Sequence, residues 1–185
     1  MGKVRIKLNP RLISMLVFSA LLIYLIFYFY QASRPITAYQ IDGFKFVFRN
    51  DLRKADKIPV YPSEDAVYLK LINPIVKNVT IAFKDAGEKE NSLYVVQSYE
   101  IAYKLTLFYK IKGMEVGFDS MQVDSYENLP GKIQNPIIAL VAPKFSNETA
   151  IRIEDHVIYV KGKTKEEFDL AVIKLLMCAL RIKLG

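Results

Sequence analysis

The sequence predicts an α/β or α+β fold, one globular domain whose mixed β-sheet is covered by helices, carried behind an N-terminal transmembrane helix. Three observations lead there. Residues 12–30 run for 19 positions without a charge, which at the helical rise spans roughly 28 Å, close to the hydrocarbon thickness of a bilayer. From residue 39 onward, strand-like and helix-like patterns follow in the order β-β-α-β-α-β-β-β-β-α, as in a sheet with packed helices. Near the end, Thr164-Lys165-Glu166-Glu167 forms a capping box ahead of aliphatic residues at helical spacing.

The flanks of the uncharged run orient it. Lys3, Arg5, Lys7 and Arg11 precede it with no acidic residue among them, and only Arg34 follows closely, so the positive-inside rule places the N-terminus in the cytoplasm. Tyr24, Phe27, Tyr28, Phe29 and Tyr30 crowd the second half, as an aromatic belt at the outer interface would. A cleaved secretory signal competes with this reading, but its apolar core is about 7–15 residues and ends in small residues, whereas here the best site, after Ala32, is preceded by bulky Tyr30. A lipoprotein needs a cysteine just after the run, and the only one is Cys178. A core helix apolar all round would need more protein around it than this domain supplies. The expected layout is a basic cytoplasmic tail over 1–11, a transmembrane helix over 12–30, a linker over 31–38 and an extracytoplasmic domain over 39–185. The chain is then a single-pass cell-membrane protein with its C-terminal domain outside.

Charge, divided along the chain, excludes one function class. The formal total is +7, yet residues 1–34 hold five basic and no acidic side chains, leaving 21 basic against 19 acidic in 35–185. A domain so nearly balanced carries no nucleic-acid footprint; the basicity reports orientation and attraction of the tail to anionic lipid. With one cysteine there is no internal disulfide, so stability rests on an ordinary hydrophobic core, for which about 150 residues suffice.

The domain opens on a hairpin, residues 39–41 and 44–48 around Asp42-Gly43, a two-residue turn signal. Residues 51–62, charged and punctuated by Pro59 and Pro62, read as loop. A short helix follows, capped by Ser63, with Glu64 and Asp65 at its positive end and Asn73-Pro74 as its stop. Residues 76–83 read as a strand. Asn91 and Ser92 offer caps for a longer helix ending near Gly113, with Tyr94, Ile101, Leu105 and Phe108 on its buried face. Residues 115–123 form a strand, and the continuously apolar 137–141 suits a central strand covered on both faces. A second hairpin pairs 150–153 with 157–160, turning at Asp155-His156, and the capping-box helix closes the domain.

Candidate chemistry is sparse. His156, the only histidine, falls at a hairpin tip beside Glu154 and Asp155, the position of a solvated turn residue. Structural zinc wants four nitrogen or sulfur ligands, and no Asp-rich calcium loop appears, so no metal is expected. Cys178 lies in an apolar helix where a thiol is inert filling. GxGxxG, Walker and GxSxG motifs are all absent from the sequence, so no cofactor or catalytic residue is assigned. Asn78-Val79-Thr80 and Asn147-Glu148-Thr149 are N-glycosylation sequons on the outer side of the expected topology. Asn147, in a loop, is the better acceptor; Asn78 enters a strand. Tyr94, Tyr99, Tyr103 and Tyr109 line the long helix, and packing against the sheet is favoured over recognition for them.

The segments Asn135-Pro136-Ile137-Ile138-Ala139-Leu140-Val141-Ala142-Pro143, Asn147-Glu148-Thr149-Ala150 and Ile158-Tyr159-Val160-Lys161-Gly162-Lys163-Thr164, with the helix after them, resemble a segment recurring in archaeal surface and S-layer-like proteins. The resemblance covers roughly the last 50 residues and carries no catalytic position. It implies an archaeal source, with the domain in the space beneath a surface layer.

Together these readings lead to a non-enzymatic, membrane-anchored extracytoplasmic binding or assembly module, with the lipid bilayer and an envelope protein or membrane complex as partners. The alternative is a membrane-bound enzyme acting on a lipid-linked or surface glycan through carboxylates such as Asp119, Asp124 or Glu127.

Overall fold

The structure, a computed structural model, describes residues 19–25 and 36–184, of which 19–25 are helical (α1). Among the described residues no helix is long and apolar enough to cross a membrane. The rest of the uncharged run, with Lys3, Arg5, Lys7 and Arg11, lies outside them. The chain divides into two compact units, Met1–Pro35 and Ile36–Gly185, and the fold below is that of the second.

At Asp42 and Gly43 the backbone takes φ of 46° and 84°. Two successive positive φ values match the right-handed twist of flanking strands, and the hairpin of β1 (Thr37–Ile41) and β2 (Phe44–Phe48) forms as the turn predicts. β1 begins at Thr37, two residues inside the expected linker. Residues 51–62, expected to be loop, instead hold helix α2 (Leu52–Asp56) and strand β3 (Val60–Tyr61). Two causes override the local signal. The Asp51 carboxylate caps α2 by accepting from the Arg53 and Lys54 amides, and Leu52 and Ala55 are buried in the core. β3 pairs in parallel with β7, about ninety positions along the chain, and Val60 packs against the core.

Helix α3 (Glu64–Leu71) starts at Ser63 as expected, and strand β4 (Asn78–Phe83) follows. Helix α4 (Glu88–Ile111) begins earlier than Asn91, because the Asn91 side chain serves the loop before the helix: it accepts from the Ala86 amide at 3.1 Å and donates to Asp85 at 2.8 Å. Its end is a Schellman turn. Gly113 takes φ of 66°, the Gly113 amide donates to Lys110 O and the Met114 amide to Tyr109 O. Tyr94, Ile101, Leu105 and Phe108 are all buried, as their spacing predicts.

β5 (Gly117–Gln122), β6 (Ile137–Val141), β7 (Ala150–Glu154), β8 (Val157–Lys161) and α5 (Lys165–Leu180) complete the domain. The second hairpin turns at Asp155-His156 as expected, and Thr164 caps α5 by accepting from the Glu167 amide. The six-stranded sheet runs β3-β7-β8-β6-β4-β5. β5, β4, β6 and β8 are mutually parallel, and β7 opposes β8. The domain is thus a mixed α/β fold with helices packed on a mixed sheet.

β6 is buried on both faces, as its unbroken apolar run predicts, but the two faces differ. Ile138 and Leu140 join Val79, Ile81, Ile151, Ile158 and Val160 in a core shared with β2 and with helices α2 to α5. Ile137, Ala139 and Val141 join Ala82, Val157 and Tyr159 on the opposite face, where the cover comes from Met121, Val123, Tyr126, Leu129 and Phe145. A sheet flanked by helices on both sides was not required: one face carries the helices, and the other is covered by Met121 of the edge strand β5, the connection between β5 and β6 and the turn after β6.

Candidate functional site

The chain leaves β4 through α4 to reach β5 on one side, then returns past β4 to place β6 on its other side. Beyond the pair Phe83 and Leu140 the parallel ladder of β4 and β6 ends, and the backbone groups at that end need other partners. Two tyrosines satisfy them. The Tyr126 hydroxyl donates to Leu140 O at 2.5 Å and accepts from the Lys84 amide at 3.0 Å. The Tyr94 hydroxyl accepts from the Ala142 amide at 3.3 Å. Because the Tyr126 proton is committed to Leu140, the 3.3 Å contact between the two hydroxyls has Tyr94 as donor. Burial raises the pKa of both, so the pair stays neutral and hydrogen-bonded.

Next to this clamp, on the helix-free face, lies an open cavity of about 530 Å³, within the size range of small-molecule sites. Tyr126, Glu127 and Asn128 come from the connection between β5 and β6, and Val141 from the end of β6. Phe145, Ser146 and Asn147 come from the turn and loop after β6, and Glu154, Tyr159 and Lys161 from the second hairpin. Three aromatic rings share this wall, with Tyr126 and Phe145 in an edge contact at 6.3 Å and the Tyr159 hydroxyl donating to Tyr126 O at 3.1 Å. Lys84 and Lys144 stand over the Phe145 ring at 5.1 and 5.6 Å, and Lys161 over Tyr159 at 5.8 Å.

The floor of the loop is an ion cluster. Glu148 accepts a bidentate pair of bonds from Arg152, each 2.8 Å, and a third from Lys161 at 2.9 Å. The Arg152 bonds first, then that of Lys161, hold the Glu148 carboxyl down at about 2. Ser146 Oγ donates to Glu148 O and accepts from the Glu148 amide, fixing the loop on either side of Asn147.

Of the residues singled out in the sequence, Asn147 is exposed and lines the cavity. Asn78 is placed differently: its amide donates to Asp119 at 2.5 Å, and Gly117 lies so close that a Cβ there would meet Asn78 Oδ1 at 2.7 Å. Asp119, Asp124 and Glu127 do not converge on the cavity, which takes only Glu127. His156 occupies its turn with Nδ1 3.4 Å from Lys70 Nζ. Cys178 is buried, and burial pushes its thiol up to about 12. The tyrosines of α4 divide: Tyr94 and Tyr109 are buried, while Tyr99 and Tyr103 are exposed and stacked at 5.9 Å.

Sequence reasoning missed Glu154, Tyr159, Lys161 and Phe145 as cavity residues, because only the topology brings the hairpin under the turn after β6. It also missed two buried lysines. Lys104 is 4 % exposed, and burial pushes its ammonium down to about 8. Lys174, 1 % exposed, bonds Asp56 O, Asp56 Oδ1 and Glu64 Oε1 at 3.1, 2.8 and 2.6 Å. Burial works to lower its pKa, but the bonds to Asp56 and Glu64 outweigh it and the net shift is upward. The signal available was a lone charge inside the aliphatic run of α5. Among the described residues no group of three or more His, Cys, Asp or Glu is placed to hold a metal ion. No protein-family model, curated protein or solved structure matches this chain.

Proposed function

We propose that the chain is a single-pass, membrane-anchored extracytoplasmic module that binds or assembles with an envelope protein or membrane complex. The observation that carries this reading is the outer face of α4. Val95, Val96, Tyr99 and Tyr103 are 70, 57, 66 and 51 % exposed, an apolar stripe beside the helix face that enters the core. Contiguous exposed apolar surface marks interaction sites, and tyrosine is enriched at them. The uncharged run 12–30, the basic residues before it and the resemblance to archaeal surface proteins support the outward placement.

The test uses the full chain, tagged at Gly185, in right-side-out vesicles and then in mild detergent. Protease removes the domain while the N-terminal tail survives, and on native gels the chain migrates in a complex larger than one copy. Val96→Glu with Tyr99→Glu reduces that complex to the single chain without changing the melting temperature. A protected domain, or a complex indifferent to the double substitution, overturns the reading. Mixing two tags distinguishes self-assembly from a different partner.

A second reading has its own support: Glu127 and Glu154 both line the aromatic cavity, the residue types a membrane-bound enzyme acting on a lipid-linked or surface glycan would use.

A further inference from the structure

The cavity and the better sequon are one place in the fold. Asn147 sits in the sequence Phe145-Ser146-Asn147-Glu148-Thr149, and Phe145, Ser146 and Asn147 all line the same wall. No hydrogen bond to another described residue holds the Asn147 side chain. The loop around it is tied down by contrast, with Ser146 Oγ bonded across it to the amide and the carbonyl of Glu148, the Glu148 carboxylate bonded to Arg152 and Lys161, and Thr149 Oγ1 accepting from the Lys163 amide at 3.1 Å. The acceptor amide is presented on an ordered platform, and the surface it overlooks suits a sugar. Tyr126 and Phe145 give the wall apolar ring edges, and the ammonium groups standing over Phe145 and Tyr159 set donors beside them for the hydroxyls of a pyranose. Glu127, Asn128, Glu154 and Lys161 offer acceptors and donors of both signs around the rings, matching a neutral ligand rich in hydroxyls more than an ion of either charge.

We infer that Asn147 is N-glycosylated and that its first sugars lie in this cavity against Phe145, so that the occupant of the cavity is the chain's own glycan. In the reaction Asn147 Nδ2 bonds to the anomeric carbon of a lipid-linked oligosaccharide, the bond from that carbon to phosphate oxygen breaks, and the lipid phosphate leaves with the electron pair. The amide proton passes to a base of the membrane transferase. The inference rests on the outward topology proposed above. Asn78 is not a site, because its amide is committed to Asp119 and wedged against Gly117.

The full chain is expressed in a host whose secretory membrane modifies a control sequon, and peptides containing each asparagine are analysed by mass spectrometry. A glycan is expected on Asn147, lost in Asn147→Gln and in Thr149→Ala, with Asn78 unmodified. Enzymatic removal of the glycan lowers the melting temperature by about 2–4 °C. In Phe145→Leu, which keeps apolar bulk but removes the ring, this difference disappears. An unmodified Asn147 in a domain that protease can reach overturns the inference alone. A glycan whose removal leaves the melting temperature unchanged overturns the cavity's role. A protease-protected domain overturns the topology, and the inference with it.

Discussion

Glu148 is tied to two cations and so contributes stability that depends on pH. Its folded pKa of about 2 lies below the ordinary carboxylate value of 4.5. The contribution is therefore complete above about 4.5 and is lost as pH falls toward 2. Glu148→Gln should lower the melting temperature by a constant amount near neutral pH, and the gap from the unsubstituted chain should close across that acid window. A gap independent of pH would refute the ion cluster as its source. At this scale part of the site was legible. Asn147 could be read as an exposed acceptor because Ser, Asn and Glu after a buried strand mark a loop, and Asn78 as a poorer one because it opens a strand. The partnership of Phe145, Tyr159 and Glu154 was not legible, since each has an ordinary local pattern and only tertiary pairing brings them to one wall.

Among the elements, α5 organises the helical layer, and Lys174 is where charge enters it. Its three donors are all used, two on Asp56 at the end of α2 and one on Glu64 at the start of α3. The carboxylates keep side-chain exposures of 47 and 55 %, so they hydrate when the lysine is removed, whereas the lysine has no such recourse. Lys174→Met should accordingly stay within about 1 kcal/mol of the unsubstituted chain or gain stability. Asp56→Ala with Glu64→Ala should lose about 3–5 kcal/mol, as expected for a buried charge stripped of its partners. Equilibrium urea unfolding of the variants checks both. Elements with their own local signal, such as the Asp-Gly hairpin and the capping-box helix, appear where the sequence places them. α2 and β3 do not, because five and two residues show no periodicity, and their stability comes from the Asp51 cap, the burial of Leu52 and Ala55, and the pairing with β7.

For the molecule as a whole, the sheet is two groups of strands joined at β4 and β6, with a paired ladder only from Thr80 to Phe83 opposite Ile137 to Leu140. Tyr126 lengthens that junction by one further tie on each strand. Tyr126→Phe keeps the ring and leaves the Lys84 amide and Leu140 carbonyl without their partner, and should cost about 1–3 kcal/mol of global stability. An unchanged unfolding midpoint would show that water replaces the hydroxyl. The fold class was legible in the succession of strand and helix patterns. The strand order and the one-sided distribution of helices were not, because an apolar run such as 137–141 records that both faces are covered without recording by what.

The tyrosine pair has a consequence for what the fold could become. Ligands of open α/β sheets bind where parallel strands part at their carboxyl ends, and at that place in this chain two phenol hydroxyls meet from opposite faces, the Tyr94 ring packed on Phe83 and Phe168 under the helices and the Tyr126 ring on Phe145 across the sheet. The rings come from a helix and from a loop, so side chains rather than a neighbouring strand satisfy the Lys84 and Ala142 amides and the Leu140 carbonyl. Shortening both to alanine would leave those two amides and that carbonyl without these partners. The place where such sheets take ligands is thus given over here to two hydroxyl groups whose task is structural.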